Sequence, residues 1–299
     1  MNLLTIKDMP EDVMKEVISK AVELKKEGNR AREDLKGKVL ISLYEKPSTR
    51  TRLSFETAIY NLGGRSIIMD FKSSQISRGE TMADTARVLS RYGHVISARL
   101  FRQSTLEEIA KWTSVPVINA LTDLEHPCQA LADMQTIIEH GKEKGKLVYI
   151  GDAANNVANS LMLVAARYGM HVVLCCPSHF PPNKEYVDEA GKSGAKVEVE
   201  HDPATAVKDA DVIYTDVWVS MGMEAEAEER MKQFMPYQVN GELLKHAKPD
   251  CIVLHCLPAH RGAEITDEVL DGGHGKSVWD QAENRMWVQE ALLLKLLKG

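Results

Sequence analysis

Val39-Leu40-Ile41-Ser42-Leu43-Tyr44-Glu45-Lys46-Pro47-Ser48-Thr49-Arg50-Thr51-Arg52 reads as a strand that runs through a tight turn into a helix. The run from Val39 to Tyr44 is largely apolar and bounded by charge, as a buried strand requires. Pro47 cannot continue a ladder but suits the approach to a helix, and Ser48 or Thr49 can cap it. Beyond the turn, Phe55, Ala58, Ile59 and Leu62 keep the i, i+3, i+4, i+7 spacing of one helical face, and Gly63-Gly64 ends it. Such a junction collects free backbone N–H groups, the positive end of a helix dipole, three hydroxyls and an arginine, which together suit a phosphate dianion. A plain capped helix with solvated arginines has the same local pattern, so the wider chain decides between them.

On either side the same alternation continues. A polar-faced helix spans about Pro10 to Glu27, and a second strand follows at Arg65–Asp70. Lys72–Glu80 is too rich in serine and glycine for either element and reads as a polar loop. Then come a helix from about Thr81 to Arg91, a strand at Val95–Leu100, a short helix around Glu107–Trp112 and a strand at Val117–Leu121. Asp123-Leu124-Glu125-His126-Pro127-Cys128-Gln129 opens a helix reaching about His140. Apolar strands alternating with helices predict a parallel sheet covered on both faces, with ligands beyond the carboxyl ends of its strands. Ser48 to Arg52, Arg99 and His126 to Gln129 all sit at such ends, and face one crevice if their strands are neighbours.

The connector Gly141–Gly145 marks a boundary, after which a second α/β unit starts with strand Leu147–Gly151, helix Asn155–Tyr168 and strand His171–Cys176. Gly151 is followed by Asp152-Ala153-Ala154-Asn155-Asn156 where a dinucleotide fingerprint needs further glycines, which argues against NAD. Later strands are expected at Lys196–Glu200, Asp211–Thr215 and Cys251–His255, with the acidic stretch Glu224–Glu229 a loop or frayed helix. A final helix from about Gln281 to Leu297 is apolar enough to require burial. The fold class is therefore α/β, with two doubly wound parallel-sheet domains.

The bulk properties exclude several functions. A chain of 299 residues has room for about two domains, and 44% hydrophobic with 27% charged residues is ordinary for a globular protein. The net charge of −6 with no basic tract argues against nucleic-acid or anionic-membrane partners. No signal peptide, transit peptide or membrane-length apolar run stands out. Five cysteines, odd in number and without C-x-x-C spacing, suggest a reducing cytoplasm rather than a disulfide framework or zinc ribbon.

Four motifs in order, Ser48-Thr49-Arg50-Thr51-Arg52, His126-Pro127-Cys128-Gln129, Asp216 with Ser220-Met221-Gly222, and His255-Cys256-Leu257-Pro258, span most of the chain. With them the chain resembles the aspartate/ornithine transcarbamylase family, and within it the ornithine carbamoyltransferases. The first two motifs resemble those shared with the aspartate enzymes, while the last two look ornithine-specific. The resemblance implies a carbamoyl-phosphate domain over residues 1–140 together with a returning helix at 281–299, and an ornithine domain over 141–280. It also implies a homotrimer, or a multiple of trimers, with carbamoyl phosphate and L-ornithine as substrates, in arginine biosynthesis or the reverse direction. No cofactor and no metal are expected.

Residue by residue, the resemblance assigns carbamoyl phosphate to Ser48, Thr49, Arg50, Thr51, Gln75, Arg99, His126, Pro127, Cys128, Gln129, Cys256, Leu257 and Arg285, and ornithine to Asn156, Asp216, Ser220 and Met221. Arg99, His126, Gln129 and Cys256 are the expected catalytic groups. Two charges must be managed, the phosphate leaving group and a tetrahedral oxyanion. Arg99 suits both, His126 can donate to the carbonyl oxygen, and Gln129 can hold the carbamoyl amide. Arg52 points to another side of its helix and reads as structural. Cys256 can be a nucleophile, a metal ligand or a liner of the amine site. Strand alternation places Cys251 and His255 opposite Cys256, which weakens a shared metal site. Competing readings are a transcarbamylase for putrescine or an N-acylornithine, and a non-catalytic phosphate-ligand sensor.

Overall fold

β-Branched and leucine-rich runs become the strands of two sheets, and the amphipathic runs between them become helices, in a computed structural model that describes residues 1–28, 32–219 and 227–298. In chain order the elements are α1 (Glu11–Glu27), β1 (Val39–Tyr44), α2 (Arg50–Asn61), β2 (Arg65–Asp70), α3 (Met82–Tyr92), β3 (Val95–Arg99), α4 (Gln103–Trp112), β4 (Val117–Leu121) and α5 (Pro127–Glu139). They continue with β5 (Lys146–Ile150), α6 (Asn156–Arg167), β6 (His171–Cys175), α7 (Lys184–Gly191), β7 (Val197–Glu200), α8 (Pro203–Val207) and β8 (Val212–Thr215). The last are α9 (Ala227–Phe234), α10 (Gly241–Leu244), β9 (Ile252–His255), α11 (Asp267–Asp271) and α12 (Ser277–Lys298). Two compact units result, Met1–Gln135 with Glu283–Gly299, and Thr136–Ala282, so the division falls inside α5 and α12.

The first unit holds a parallel sheet in the order β2-β1-β3-β4. The three strands expected to share a crevice are therefore neighbours, β1 beside β3 and β3 beside β4. The chain leaves β1 in opposite directions to reach β2 and β3, so the carboxyl ends of β1 and β3 flank the switch point where open α/β sheets bind ligands. Ile41, Leu43, Ile96, Ala98 and Val117 fill the core with Leu89 and Leu106 from the covering helices. Ser42 and Ser97 satisfy one another inside it, Oγ to Oγ at 2.8 Å. The second unit repeats the plan in the order β7-β6-β5-β8-β9, with its switch point between β5 and β8. Val148, Ile150, Ile213 and Val253 form its core with Val207, Val269 and Val278.

Two expectations are revised. Residues Phe71–Ser73 and Gln75–Arg78 form two 3-10 turns rather than an open loop. The serines that argued against regular structure support it: Ser74 Oγ donates to Phe71 O at 2.8 Å and Ser77 Oγ to Ser74 O at 2.7 Å. Short helices α7, α8 and α10 occupy segments left unassigned between strands. Their N-caps were the available signal, Asn183, Asp202 and Asn240 each accepting from a backbone N–H two or three residues on.

Helix α12 begins one turn earlier than its apolar run suggested and is buried at Ala291, Leu292 and Leu293. Within the first unit Asn284 Oδ1 accepts from Lys25 Nζ at 2.8 Å, and Glu290 Oε1 accepts from Asn61 Nδ2 at 2.8 Å. Burial pushes the Glu290 carboxyl up from 4.5 to about 7, against the Asn61 hydrogen bond and the Arg32 charge that favour ionisation. Between those two values the folded chain holds a proton that the unfolded chain has lost, so this residue's stabilising contribution declines as pH rises from 4.5 to about 7. Glu290→Gln mimics the protonated form. Its expected effect is to raise unfolding stability by about 1–2 kcal/mol at pH 8 and by little at pH 4.5, measured by denaturant titration at both values.

Candidate active site

In the first unit the polar residues gather where β1, β3 and β4 end. Ser48 Oγ accepts the backbone N–H of Thr51 at 3.3 Å, so Ser48 rather than Thr49 supplies the side-chain cap of α2. Thr51 is buried, Ser48 and Arg50 half-buried and Thr49 exposed. Arg52 pairs with Asp70 and lies over the Tyr44 ring at 4.9 Å, the structural role expected of it. At the end of β3 the pairing slips: Ala98 faces Asn119, but Arg99 faces Leu121. The extra residue on β4 forms a bulge beside Arg99, a device that changes where a side chain points.

His126, 4% exposed, precedes α5. Its pKa is held well below the ordinary histidine value by burial, and then by the charges of Arg285, Arg99 and Arg50. The imidazole is therefore neutral at physiological pH, a hydrogen-bond donor that adds no charge. Gln129, one turn along, accepts Arg285 Nη1 on its Oε1 at 2.6 Å and donates from Nε2 to Asp133 Oδ1 at 2.8 Å. Among the described residues, Nε and Nη2 of buried Arg285 have no hydrogen-bond partner, leaving one edge of the guanidinium for a ligand. Pro127 is the first residue of α5, where its missing N–H costs nothing. Cys128 directs its Sγ at Asn119 O, 3.4 Å away, and burial pushes its thiol up to about 11, so it is not a nucleophile at neutral pH. Gln75 is exposed on the second 3-10 turn, following the edge strand β2.

The second unit assembles a different set at the ends of β5, β8 and β9. Asp216, 7% exposed, accepts Cys256 Sγ at 3.1 Å and Val217 N at 2.8 Å on Oδ1, and Asn155 Nδ2 at 3.4 Å on Oδ2. Burial raises its pKa, opposed by His255 and by the Cys256 hydrogen bond. Such a carboxylate gains from a cationic partner. Asn155 also caps α6 through Ala158 N at 2.8 Å and donates to Tyr149 Oη at 2.7 Å. Asn156, the residue expected to matter, is the first of α6 and half-buried beside it. Ser220 and Met221 lie outside the described residues.

Cys256 does not lie on the face opposite His255 that strand alternation predicts. Strand β9 stops at His255 and Leu257 takes φ +59°, so the period of two does not extend to Cys256. Ligand atoms of Asp216, His255 and Cys256 all lie within 4.8 Å of one another. The His255 ring is engaged on both sides: Nδ1 accepts Leu257 N at 2.8 Å, which leaves the proton on Nε2 for Glu264, at 3.0 Å. Asn155, Glu264 and Arg230 were all missed in the sequence. Arg230, 5% exposed, pairs with Asp152 and donates from Nε to Trp218 O at 2.6 Å, with its guanidinium over Phe180 and Phe234. It thereby ties the turn after β5 to the turn after β8, which carries Asp216.

These two units make an α/β protein with a cationic site on one sheet and an acid–thiol site on the other. Residues 1–139 match the family description "Aspartate/ornithine carbamoyltransferase, carbamoyl-P binding domain", and residues 143–296 match its "Asp/Orn binding domain". The chain is 51% identical to an ornithine carbamoyltransferase of Thermococcus kodakarensis, over 100% of this chain and 96% of that protein. The solved ornithine carbamoyltransferase of Pyrococcus furiosus superposes with a TM-score of 0.94 at 49% identity, over 100% of this chain and 97% of that one. A structure of N-acetyl-L-ornithine transcarbamylase has a TM-score of 0.88 at 29% identity, covering 99% of each chain. The chain belongs to the aspartate/ornithine carbamoyltransferase family.

Removing one member of a buried ion pair leaves its partner uncompensated, at a cost of about 3–5 kcal/mol. Arg230→Met is expected to lower the unfolding free energy by about that amount in chemical denaturation. The double variant Arg230→Met with Asp152→Asn should recover part of the loss.

Proposed function

We propose that the chain transfers the carbamoyl group of carbamoyl phosphate to the δ-amine of L-ornithine, giving L-citrulline and phosphate. The observation that carries this reading is the neutral, buried His126 among Arg50, Arg99 and Arg285, beyond the carboxyl ends of adjacent strands. Ser48, Thr49, Arg50 and Thr51, with the first N–H groups of α2, hold the phosphate. Arg99 spans phosphate and carbonyl oxygen, and His126 donates to that oxygen as it gains charge. Gln129 accepts from the carbamoyl NH2, with Arg285 beside it. Gln75 and the backbone at Pro127 and Cys128 complete the acyl-phosphate site. In the second unit Asp216 receives the α-ammonium, Asn156, Ser220 and Met221 the α-carboxylate, and Cys256 the δ-amine.

The amine nitrogen attacks the carbamoyl carbon, the bond from that carbon to the phosphate oxygen breaks, and the nitrogen loses a proton. An amine with a lysine-like pKa near 10.4 costs about 4–5 kcal/mol to deprotonate at pH 7, so the neutral amine limits the rate at low pH. The buried Asp216 carboxyl favours a free α-ammonium over an N-acylated substrate, because an amide in its place leaves the carboxylate uncompensated.

The first unit is the proposed carbamoyl-phosphate domain and the second the ornithine domain. The enzyme works as a homotrimer, or a multiple of trimers, in the cytoplasm. Among the described residues, no helix is long and apolar enough to cross a membrane.

Purified protein given ornithine and carbamoyl phosphate is expected to form citrulline, and parallel assays with putrescine or N-acetylornithine to give little. Arg50→Ala should lower kcat/KM by about 100-fold or more, because the phosphate loses a charged donor as it departs. Faster turnover of an acylated amine would reverse the assignment of substrate. The kcat/KM for ornithine should rise with pH between about 6 and 9, and a flat profile with chemistry rate-limiting contradicts the neutral-amine requirement.

A further inference from the structure

Asp133 lies one turn beyond Gln129 on α5 and is fully buried, as nearly are Gln129 and Arg285 at 2% exposure each. The three side chains form a line. Arg285 Nη1 donates to Gln129 Oε1 at 2.6 Å, and Gln129 Nε2 donates to Asp133 Oδ1 at 2.8 Å. We propose that Asp133 is a positioning residue for carbamoyl transfer: it acts through Gln129, locking the amide with its oxygen toward the carbamoyl group, and it offsets one positive charge of the anion site.

The first part follows from the chemistry of an amide. Rotated by half a turn, Gln129 would set its NH2 against a guanidinium and its oxygen against a carboxylate, two repulsions at once. Held as it is, the oxygen keeps a second lone pair, which a carbamoyl NH2 can fill. Arg285 can tighten on an incoming acyl phosphate through its remaining edge, and Asp133 keeps the amide oriented while it does so. The second part is a matter of charge. Arg50, Arg99 and Arg285 all act on His126, which stays neutral, so these residues set three positive charges against the two negative charges of an acyl phosphate. The Asp133 carboxylate, one residue removed from the ligand, brings the site toward neutrality with it, so that the phosphate product is not held too tightly.

This inference rests on the carbamoyl-transfer reading, and its test separates the two. Asp133→Asn keeps an acceptor oxygen and the shape but loses the charge, whereas Asp133→Leu loses both. With thermal unfolding confirming that each variant is folded, Asp133→Asn is expected to lower kcat about 10-fold with the ornithine KM unchanged, and Asp133→Leu about 100-fold or more. In a Gln129→Ala background Asp133→Asn should cost less than about 2-fold, because the residue through which it acts is gone. Equal losses in both backgrounds, or a folded Asp133→Leu variant with the parent kcat, overturn the proposal. Inorganic phosphate binding, followed by calorimetry, provides a second arm and is expected to tighten about 3- to 10-fold in Asp133→Asn. Unchanged or weaker phosphate affinity overturns the charge role, even if the parent chain forms no citrulline, a result that would refute the transfer reading instead.

Discussion

The hydrogen bond from Arg285 to Gln129 joins residues 156 apart in sequence, and the cationic site of the first unit depends on it. It places a guanidinium from the last helix beside α5, where its charge, with burial and with Arg99 and Arg50, keeps His126 neutral. The same helix is anchored through Asn284 to Lys25 on α1 and through Glu290 to Asn61 on α2. Residues from both ends of the chain thus close around one sheet. A guanidinium at 2% exposure is expensive unless every edge finds a partner, and the Nε/Nη2 edge of Arg285, without one among the described residues, is the strongest pointer in this unit to an anionic ligand.

The second unit solves a related problem with opposite charge. Asp216 is buried and its carboxyl is stabilised by the thiol of Cys256, by Val217 N and by Asn155. Behind it His255 and Glu264 hold the backbone of Leu257 in a left-handed conformation that a leucine rarely adopts unaided. Arg230 and Asp152 clamp the neighbouring turns. Both sites therefore use buried polar groups whose partners come from different loops. Such groups contribute little net stability, but they hold a geometry that solvated side chains would not.

Much of this was legible in order along the chain. Strand, turn and helix around Ser48 follow from local sterics and periodicity, and the alternation of elements implied parallel sheets, because a helix after a strand returns the chain to the end of the sheet where that strand began. The motifs at Ser48–Arg52, His126–Gln129, Asp216 and Cys256 were recognisable because each is short and sits at a strand end. Less was visible where contacts are distant. Asp133 looks like an ordinary helical acid, Arg230 like one charge in an acidic run, and Glu264 like a surface residue. The partners of Arg230 and Glu264 lie 78 and 9 positions away with nothing in the intervening sequence to mark the pairing, whereas Asp133 sits one helical turn from Gln129 and only its link through that residue to Arg285 was hidden.

Local patterning was therefore enough to specify the alternation of strands and helices in two α/β units and which residues follow the strand ends. Folding alone decided strand order, which made β1, β3 and β4 neighbours, and the bulge beside Arg99. It also brought His255 and Cys256 to one place where alternation had set them apart. The physical reason is the range of the forces involved. Propensity and hydrophobic periodicity act within a few residues and are written into neighbouring letters. Electrostatics and desolvation act through space, so a protonation state like that of His126 exists only after remote charges have been brought together.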